Sequence, residues 1–595
     1  LAKFMTAFEG GENKGFFPYE FIDSYDKLDL PYTVLKMEDF DSKFKNTTMS
    51  QENYDWVMNC GKEQGWKTIR DLLRWYNNKD VRPFLKACLN HKEFFYPLKL
   101  DMYKDGFSLP ALSDKIQFSY MLEGLGDFMN LGIKHTDNYT MPYNIVWKIV
   151  NYIKQDVKAK RSLANYITEE QVKQLIADQS FKCYYCHKCL DPNIWTLDRI
   201  DCAKSHSANN CVIACVLCNK HRNDELFPKF YRKKALLRFA QEEEICDGKK
   251  ILKHPMIYLI DEQNKEVFYE LKQSITGGAS LVFHRYHEAD KTELTRVHYN
   301  SEKKDWYYDE IGKKVKKIVG FDANALYLGC SGGDMLCGKL TLEETSDDKK
   351  YISDTLSGEF FGMLKVQLHV PEDKYEYFSQ MCPIFKNIEY SQEEAGEYMK
   401  KIIKQNQGNP DKVKYTKSRK LICSLKADNF WIKSTSLKWM LEHGCIVDKL
   451  YAVIKATPGR PFKGFMDKVS DERRKGDIDK KYATIADMWK TVGNSAVGRT
   501  AMNKSKHRNV KYCTEMDFNR MKYDYFYYDA NVYNDVYEVI STKKKVKQNM
   551  PIQVACSVYD DSKKRMLEFC YDCVDKYLDR SDYQYMEMDT DSAYI

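Results

Sequence analysis

The sequence lacks long apolar runs, internal repeats and low-complexity tracts. No stretch of about 18 consecutive apolar residues occurs, so we expect no membrane-spanning helix and no membrane partner. The 19 cysteines are too sparse in 595 residues for a small secreted disulfide scaffold. The first residue is Leu and no signal-peptide pattern follows it, so we expect an intracellular fragment of a longer protein. Nucleus and cytoplasm remain open.

Length and composition predict a globular protein of several domains. At roughly 100–200 residues per domain, the chain has room for about three to five. A hydrophobic content of 43% with 30% charged residues is typical of folded rather than disordered chains. The net charge of +7 is compatible with a nucleic-acid partner without requiring one.

The acidic stretch Tyr585–Ile595 is the most informative part of the chain. Asp589 and Asp591 flank a threonine, with apolar and aromatic residues on both sides. This pattern predicts two short strands joined by a tight turn. Two carboxylates at such a turn favour the binding of divalent metal ions beside a phosphate.

Two motifs upstream have matching chemistry. The apolar run Ile318–Phe321 ends in Asp322, and Tyr327 follows five residues later. A carboxylate at a strand end can hold a metal, and the nearby aromatic ring can line one side of a pocket for a sugar. The second motif spans Lys490–Gly498 in a basic helical stretch, where a lysine can bind a triphosphate as a point charge.

Together these motifs resemble the palm and fingers of family B DNA polymerases, which carry D-x-x-S-L-Y-P, K-x-x-x-N-S-x-Y-G and Y-x-D-T-D-S in this order. Ala325, Leu328 and Val497 depart from the family pattern. The resemblance implies two Mg²⁺ ions at three aspartates and a tyrosine that excludes a ribose 2′-hydroxyl. The implied magnesium ligands are Asp322, Asp589 and Asp591, and the implied nucleotide-binding residues are Tyr327, Lys490, Asn494, Ser495, Gly498, Arg473 and Arg474. For the two arginines, a solvated helix face is an equally good interpretation.

Ile275–Gly278 resembles the Y-x-G-G motif of the protein-primed branch of this family, found in viruses, linear plasmids and Polinton/Maverick transposons. The resemblance implies template contacts by Gly277 and Gly278, whereas an ordinary turn would also use two glycines. It further implies DNA template and primer, dNTPs and a terminal protein as partners. The stretches 341–450 and 505–550 are candidates for the two insertions of the branch.

Tyr76 and Asp80 have the Y-x-x-x-D spacing of the third exonuclease motif in these enzymes. On a helix they share one face, which also makes an ordinary surface pair the alternative. The first two exonuclease motifs are not found. One aspartate cannot hold two metals, so we expect no proofreading activity from this chain.

Paired cysteines predict one structural Zn²⁺. Two C-x₂-C knuckles, separated by 28 residues, supply a closed set of four thiolates: Cys183, Cys186, Cys215 and Cys218. The region resembles nucleases of the HNH type, which implies His206 as general base and Asp198 and Asn219 as ligands of a further Mg²⁺. Many HNH proteins have His where this chain has Arg199. A zinc-stabilised DNA-binding insertion is therefore the alternative.

The resemblance implies an α+β fold whose polymerase palm and fingers lack a thumb. Its implied function is template-directed DNA synthesis, and the alternatives are an HNH endonuclease or a DNA-binding relic on a degenerate polymerase scaffold. The predicted segments are a partial RNase H-like exonuclease region (1–145), a treble-clef or ββα-metal HNH module (150–245), the connection to the palm (250–340), palm with the first insertion (341–460), fingers (461–505), and the second insertion with the rest of the palm (506–595).

Overall fold

The computed structural model describes residue 8 and residues 15–43, 46–106, 108–246, 249–407 and 413–595. Helices and strands are mixed along the chain, which confirms the predicted α+β class. No helix in this part of the chain is long and apolar enough to cross a membrane. The principal helices are α1 (Gln51–Gln64), α2 (Ile69–Phe95), α3 (Leu109–Met121), α4 (Leu125–Asn130), α5 (Ile145–Lys158), α6 (Glu169–Asp178), α7 (Val216–Arg222), α8 (Phe227–Ala240), α9 (Lys265–Ser274), α10 (Leu326–Ser331), α11 (Asp348–Ser357), α12 (Glu397–Asn406), α13 (Ser434–Glu442), α14 (Lys463–Ile478), α15 (Ala483–Thr500), α16 (Glu515–Met521) and α17 (Ile552–Leu567).

Nineteen strands form seven small sheets within the described residues. Four of these strands, in the order β5-β18-β19-β8, make the sheet that carries the predicted palm motifs. The strands are β1 (Thr196–Arg199), β2 (Cys211–Ala214), β3 (Glu243–Cys246), β4 (Lys249–Leu252), β5 (Ser280–Val282), β6 (Glu293–Asn300), β7 (Asp305–Lys314), β8 (Gly320–Asp322), β9 (Met335–Glu344), β10 (Gly362–His369), β11 (Ile384–Ser391), β12 (Lys417–Ser424), β13 (Lys426–Lys433), β14 (Ile446–Gly459), β15 (Arg508–Cys513), β16 (Tyr527–Tyr533), β17 (Val536–Thr542), β18 (Glu587–Asp589) and β19 (Ser592–Tyr594).

The N-terminal segment is helical. Helix α2 begins at a capping box in which Thr68 and Asp71 satisfy free backbone N–H groups. Its apolar residues recur at helical spacing and pack Trp75 and Tyr76 into an aromatic core. The described part of residues 1–145 contains helices, 3₁₀ turns and two isolated bridges but no strand, so the sheet expected of an RNase H-like region is absent from it.

Helix α3 joins this segment to the predicted fingers. Leu112 and Ile116 are fully or nearly fully buried in one cluster with Phe465 of α14 and with Val492 and Ala496 of α15. The fingers helices therefore rest on the N-terminal segment. The charged stretch from 463 to 500 divides into two helices because Asp479 caps a short 3₁₀ turn by accepting the backbone N–H of Lys481.

The module between the N-terminal segment and the palm has its own core. Strands β1 and β2 form an antiparallel hairpin, and Leu197 and Ile213 point from it into a cluster with Trp195 and the helices α5 and α6. The cysteine knuckles pack on the adjoining cluster around Tyr185 and Phe230. The hairpin, the two knuckles and helix α8 thus pack together, and the assignment to an HNH-type module stays a prediction.

Helix α17 is the most deeply buried element of the segment predicted to form the palm. Eleven of its sixteen residues are buried, in keeping with the uninterrupted small and apolar run Val554–Val558. It packs against α10 and α15 and against a second sheet with the order β13-β10-β14-β9. This helix thus connects the motif-bearing sheet to the fingers.

Two smaller sheets fall within the stretches predicted as insertions. One is the β11–β12 hairpin, and the other is the three-stranded β15-β17-β16 sheet. Beside the second sheet, Ile257 makes an isolated parallel bridge to Gly338 within β9.

Candidate functional site

The acidic turn and the upstream aspartate meet at one edge of the four-stranded sheet. Asp589 ends β18 and Thr590 turns the chain with a φ of 58°, while the Thr590 N–H donates to the carbonyl of Ala279 at 2.6 Å. Strand β19 pairs with β8 so that Ser592 lies opposite both Asp589 and Asp322. This register brings Asp322, Asp589 and Asp591 together from distant parts of the sequence.

The three carboxylates repel one another. Asp322 and Asp589 are exposed and Asp591 is half-buried. Burial raises the pKa of Asp591, and the charges of Asp322 and Asp589 raise this pKa further, whereas Lys490 lowers it. Cations at this edge would relieve the repulsion, so the donor set fits hard divalent ions such as Mg²⁺.

The distances between the carboxylate oxygens indicate whether the three groups can enclose a single metal ion. These oxygens do not all lie within 4.8 Å of one another, unlike the cysteine sulfurs described below. The three carboxylates therefore do not form one compact ligand set of the kind that encloses a single ion.

Tyr327 stands beside this acidic edge. Ala325, with a left-handed φ of 56°, starts helix α10 and directs the following turn toward the hairpin. The Tyr327 ring meets Tyr559 edge-on at a centroid distance of 5.4 Å, and its hydroxyl hydrogen-bonds Thr590. Burial raises the pKa of Tyr327 to about 12, so its hydroxyl stays protonated and an uncharged ring lies next to the carboxylates.

The predicted template-contact glycines pack beneath the same turn. Gly277 has a φ of 77°, a conformation that favours glycine. A Cβ on Gly278 would lie 2.7 Å from the Thr590 Oγ1, which is closer than real Cβ contacts permit. Gly278 is therefore packed against the acidic turn, whereas Gly277 has open space beside it, and the contact of either glycine with a template stays a prediction.

Helix α15 presents the predicted nucleotide-binding residues along one face. Lys490, Asn494 and Gly498 are exposed at a spacing of four residues, and Ser495 is half-buried beside them. The opposite face packs closely on α10, since a Cβ on Gly493 would lie 3.3 Å from Leu328. Lys490 lies near enough to Asp591 to influence its titration.

The two predicted arginines lie on α14. Arg474 forms an exposed ion pair with Asp471 at 2.9 Å, and Arg473 is half-buried. These contacts agree with the solvated-face interpretation. Nucleotide binding by either arginine remains a prediction.

The four predicted zinc ligands converge. The sulfurs of Cys183, Cys186, Cys215 and Cys218 lie within 4.8 Å of one another, and this is the one such ligand group among the described residues. The Cys186 and Cys215 sulfurs are 4.0 Å apart, close to the roughly 3.8 Å expected for tetrahedral Zn–S bonds of about 2.3 Å. Hydrogen bonds from Cys183 and Cys218 lower the pKa of Cys186, which favours its thiolate. The donor set fits one Zn²⁺.

The predicted nuclease residues are engaged in internal contacts instead. Asp198 forms a buried ion pair with Arg222 at 2.8 Å and accepts a hydrogen bond from Tyr185 at 2.5 Å. The Asn219 side chain donates to Thr196 at 2.8 Å. No described carboxylate or histidine of this module meets two others as a ligand set.

His206 is likewise a buried structural residue. It stacks on Tyr152 at a centroid distance of 4.4 Å, and its Nδ1 lies 2.7 Å from a carboxylate oxygen of Asp156. His206 is only 4% exposed, and its role as a general base stays a prediction. Sequence reasoning missed Asp156, which also holds Arg161 and Tyr166; a lone acid in a helix gives no recognisable signal.

Tyr76 and Asp80 do share a helix face, as their spacing predicted. The Tyr76 hydroxyl donates to Asp80 at 2.7 Å. The tyrosine ring is 7% exposed and packs against Phe17 and Tyr19. No second carboxylate completes a metal set there among the described residues, which favours the helix-pair interpretation.

No family model and no curated protein matches the sequence. Solved structures of a DNA polymerase are among those to which the chain is similar. They include Phi29 DNA polymerase in an orthorhombic crystal form and in a ternary complex with primer-template DNA and incoming nucleotide, each with a TM-score of 0.30 and 14% identity over 57% of this chain and 44% of that chain. A binary complex with primer-template DNA gives a TM-score of 0.29 and 14% identity, over 56% and 43% of the two chains. The chain thus spans less than half the length of these polymerases.

Proposed function

We propose that this chain is the catalytic part of a template-directed DNA polymerase. The observation that carries the proposal is the register around β19, which gathers Asp322, Asp589 and Asp591 at one sheet edge. Three mutually repelling carboxylates are unfavourable unless cations compensate them. Structural packing alone gives no reason to place all three there.

The surrounding residues suit nucleotidyl transfer to a primer. When bound at the three aspartates, two Mg²⁺ ions would acidify the primer 3′-hydroxyl and neutralise the departing pyrophosphate. Lys490 extends from the exposed face of α15 toward the same edge and would bind the incoming triphosphate. The Tyr327 ring, fixed by Tyr559 and Thr590, would exclude a ribose 2′-hydroxyl.

The inserted module would serve this polymerase as a zinc-stabilised element. Its cysteines converge as zinc ligands, whereas Asp198, His206 and Asn219 are each tied to another residue of the module. These contacts favour a structural or DNA-binding insertion over an HNH endonuclease. Protein-primed initiation with a terminal protein is the mode that Gly277 and Gly278 and the two small sheets would suit.

Primer extension tests the polymerase. The full chain should extend a labelled primer on a DNA template with dNTPs and Mg²⁺, and Asp322→Asn should reduce incorporation by at least about 10³-fold, as expected when a group stabilising transition-state charge is removed. Asp309→Asn, at an exposed carboxylate of β7, is the matched control and should leave incorporation unchanged. Equal incorporation by Asp322→Asn and the wild-type chain would refute the proposal.

A further inference from the structure

A basic groove runs along helix α2, away from the palm motifs. The cavity has a volume of about 750 Å³. Five cationic residues and one carboxylate line it: Lys67, Arg74, Lys79, Arg82 and Lys86, with Asp71. No residue predicted from the sequence as functional lies in this groove.

The cations are placed by helical periodicity. Arg74, Arg82 and Lys86 recur at intervals of eight and four residues, so they share one face of α2. From Arg74 to Lys86 this face extends over about 18 Å at 1.5 Å per residue. Tyr76 and Asp80 do not line the groove. Each follows a groove-lining residue, Trp75 or Lys79, by one position, which turns it by about 100° around the helix axis.

The single acidic residue of the groove does little to neutralise it. One oxygen of Asp71 accepts the backbone N–H groups of Lys67 and Thr68 at 3.0 and 3.1 Å as part of the helix cap. Its other oxygen is 3.6 Å from Arg74, whose side chain is 72% exposed. The groove therefore keeps a strong positive charge, which is unfavourable without an anionic partner.

The floor of the groove is aromatic. Trp75 lines the groove and is 6% exposed, because its ring packs on Trp56 and Trp66 in the core of the N-terminal segment. The cations therefore stand above a fixed floor that does not compete for their charge.

We propose that this groove binds a single strand of nucleic acid through successive phosphates. The elongated row of cations matches a repeating polyanion better than one small anion. Spread over the roughly 18 Å row, a volume of about 750 Å³ leaves a cross-section only about 6–7 Å across, which is wide enough for one strand and too narrow for a duplex. The inference does not depend on polymerase activity, because Asp322 lies on the palm sheet and takes no part in the groove.

Binding of a fluorescein-labelled oligodeoxythymidylate to the full chain tests the proposal. Combined Arg74→Ala, Arg82→Ala and Lys86→Ala should weaken binding at least tenfold. The slope of log K against log salt should fall by about 2, since each phosphate contact to a single strand contributes about 0.7. The charge-matched control combines Lys36→Ala, Lys62→Ala and Lys92→Ala, which are exposed residues of the same segment outside the groove. It should leave both values near those of the wild-type chain.

Crosslinking locates the strand independently. A strand containing 4-thiothymidine should crosslink to the peptide covering 66–86, and the groove variant should lose this crosslink while Asp322→Asn retains it. Equal affinities and slopes for the groove variant and its control would overturn the proposal. So would displacement of the strand by inorganic phosphate, by duplex DNA or by polyglutamate at matched charge concentration, because each would identify a different occupant.

Discussion

At the scale of single residues, the geometry of the acidic turn depends on how closely its neighbours pack against it. Gly278 leaves room for the Thr590 side chain, and Thr590 in turn orients the Tyr327 hydroxyl. The carboxylates at positions 589 and 591 take their separation from the left-handed conformation of the residue between them. The geometry of the site is thus set by steric fit as much as by charge.

Gly278→Ala should therefore disable the site with a modest loss of stability. The added methyl group would overlap the Thr590 hydroxyl and push the turn away from β5, at a cost of about 1–3 kcal/mol typical of overpacking. We expect primer extension to fall at least tenfold, with a small decrease in melting temperature. Gly126→Ala in α4 is the control, since a Cβ there meets nothing within 4 Å. Normal extension by Gly278→Ala would show that the turn tolerates displacement.

The residues of the site were largely predictable because each motif is local. Asp322, Lys490 and the D-T-D turn lie in short patterns whose chemistry can be interpreted without a fold. Their convergence could not be derived from spacing, since β19 pairs with a strand from a remote part of the chain. The contacts of Asp198 with Arg222 and of His206 with Asp156 could not be predicted, because nothing in the sequence indicates which residues are their partners.

At the scale of elements, helix α5 holds the zinc-bearing module together through Asp156. This carboxylate is fully buried and contacts His206, Tyr166 and Arg161. Although burial alone would raise its pKa, the hydrogen bonds from His206 hold the pKa of Asp156 at about 2. Burial also lowers the pKa of His206 below its ordinary value of 6.5.

The module should consequently lose stability in mild acid. Both groups bind fewer protons in the folded state than in the unfolded state, so stability rises with pH. It should fall first as the pH drops below about 6.5, where an unfolded histidine takes up a proton, and again between about 4 and 2 as Asp156 is protonated. Hydrogen exchange of peptides from 145–158, corrected for intrinsic rates, measures the change.

Zinc thiolates also take up protons in acid, so a control is needed. His206→Gln removes the imidazole and retains a polar side chain of similar size. It should abolish the loss of protection near pH 6 and make the later loss smaller, because the imidazole would no longer donate to Asp156, whereas the backbone N–H of residue 206, the Tyr166 hydroxyl and Arg161 still would. An unchanged profile near pH 6 in this variant would assign the effect to another group.

At the scale of the whole molecule, some hydrophobic clusters are confined to one segment of the chain and others join several segments. Two clusters of the four-cysteine module draw only on residues between 139 and 231, whereas its helix α8 also packs against α4 and Met256. The clusters around the two four-stranded sheets instead combine residues from 257 to 593, apart from two partly buried residues of α3. The N-terminal segment shares a core with helices α14 and α15. The sequence showed the cysteine-rich module clearly, but helix α3 gave no sign that it would support α15, since its apolar pattern does not specify a partner.

Removing zinc should therefore unfold one part of the molecule and spare the rest. We expect about one Zn²⁺ per chain by elemental analysis. A zinc-selective chelator in excess Mg²⁺ should increase hydrogen exchange across 183–231, because small modules of this type depend on their metal. Primer extension should persist, since the palm core does not include these residues.

Cys183→Ser should reproduce the effect of the chelator and lower the zinc content. Cys189→Ser changes an exposed cysteine outside the cluster and should retain one zinc. If Cys183→Ser kept its full zinc content, the four-cysteine site would be contradicted. If primer extension failed together with the module, the two cores would be coupled.

The pairing of β5 with β18 also has a consequence for biosynthesis. Val282 lies opposite Glu587, so roughly 300 residues must be translated after the first strand before its partner exists, which takes about 15–60 s at 5–20 residues per second. Throughout that interval the nascent chain exposes strand edges and half of an apolar sheet on the ribosome. Production of this protein should therefore depend on chaperones that shield such edges, and recombinant yield should respond to slower translation at low temperature.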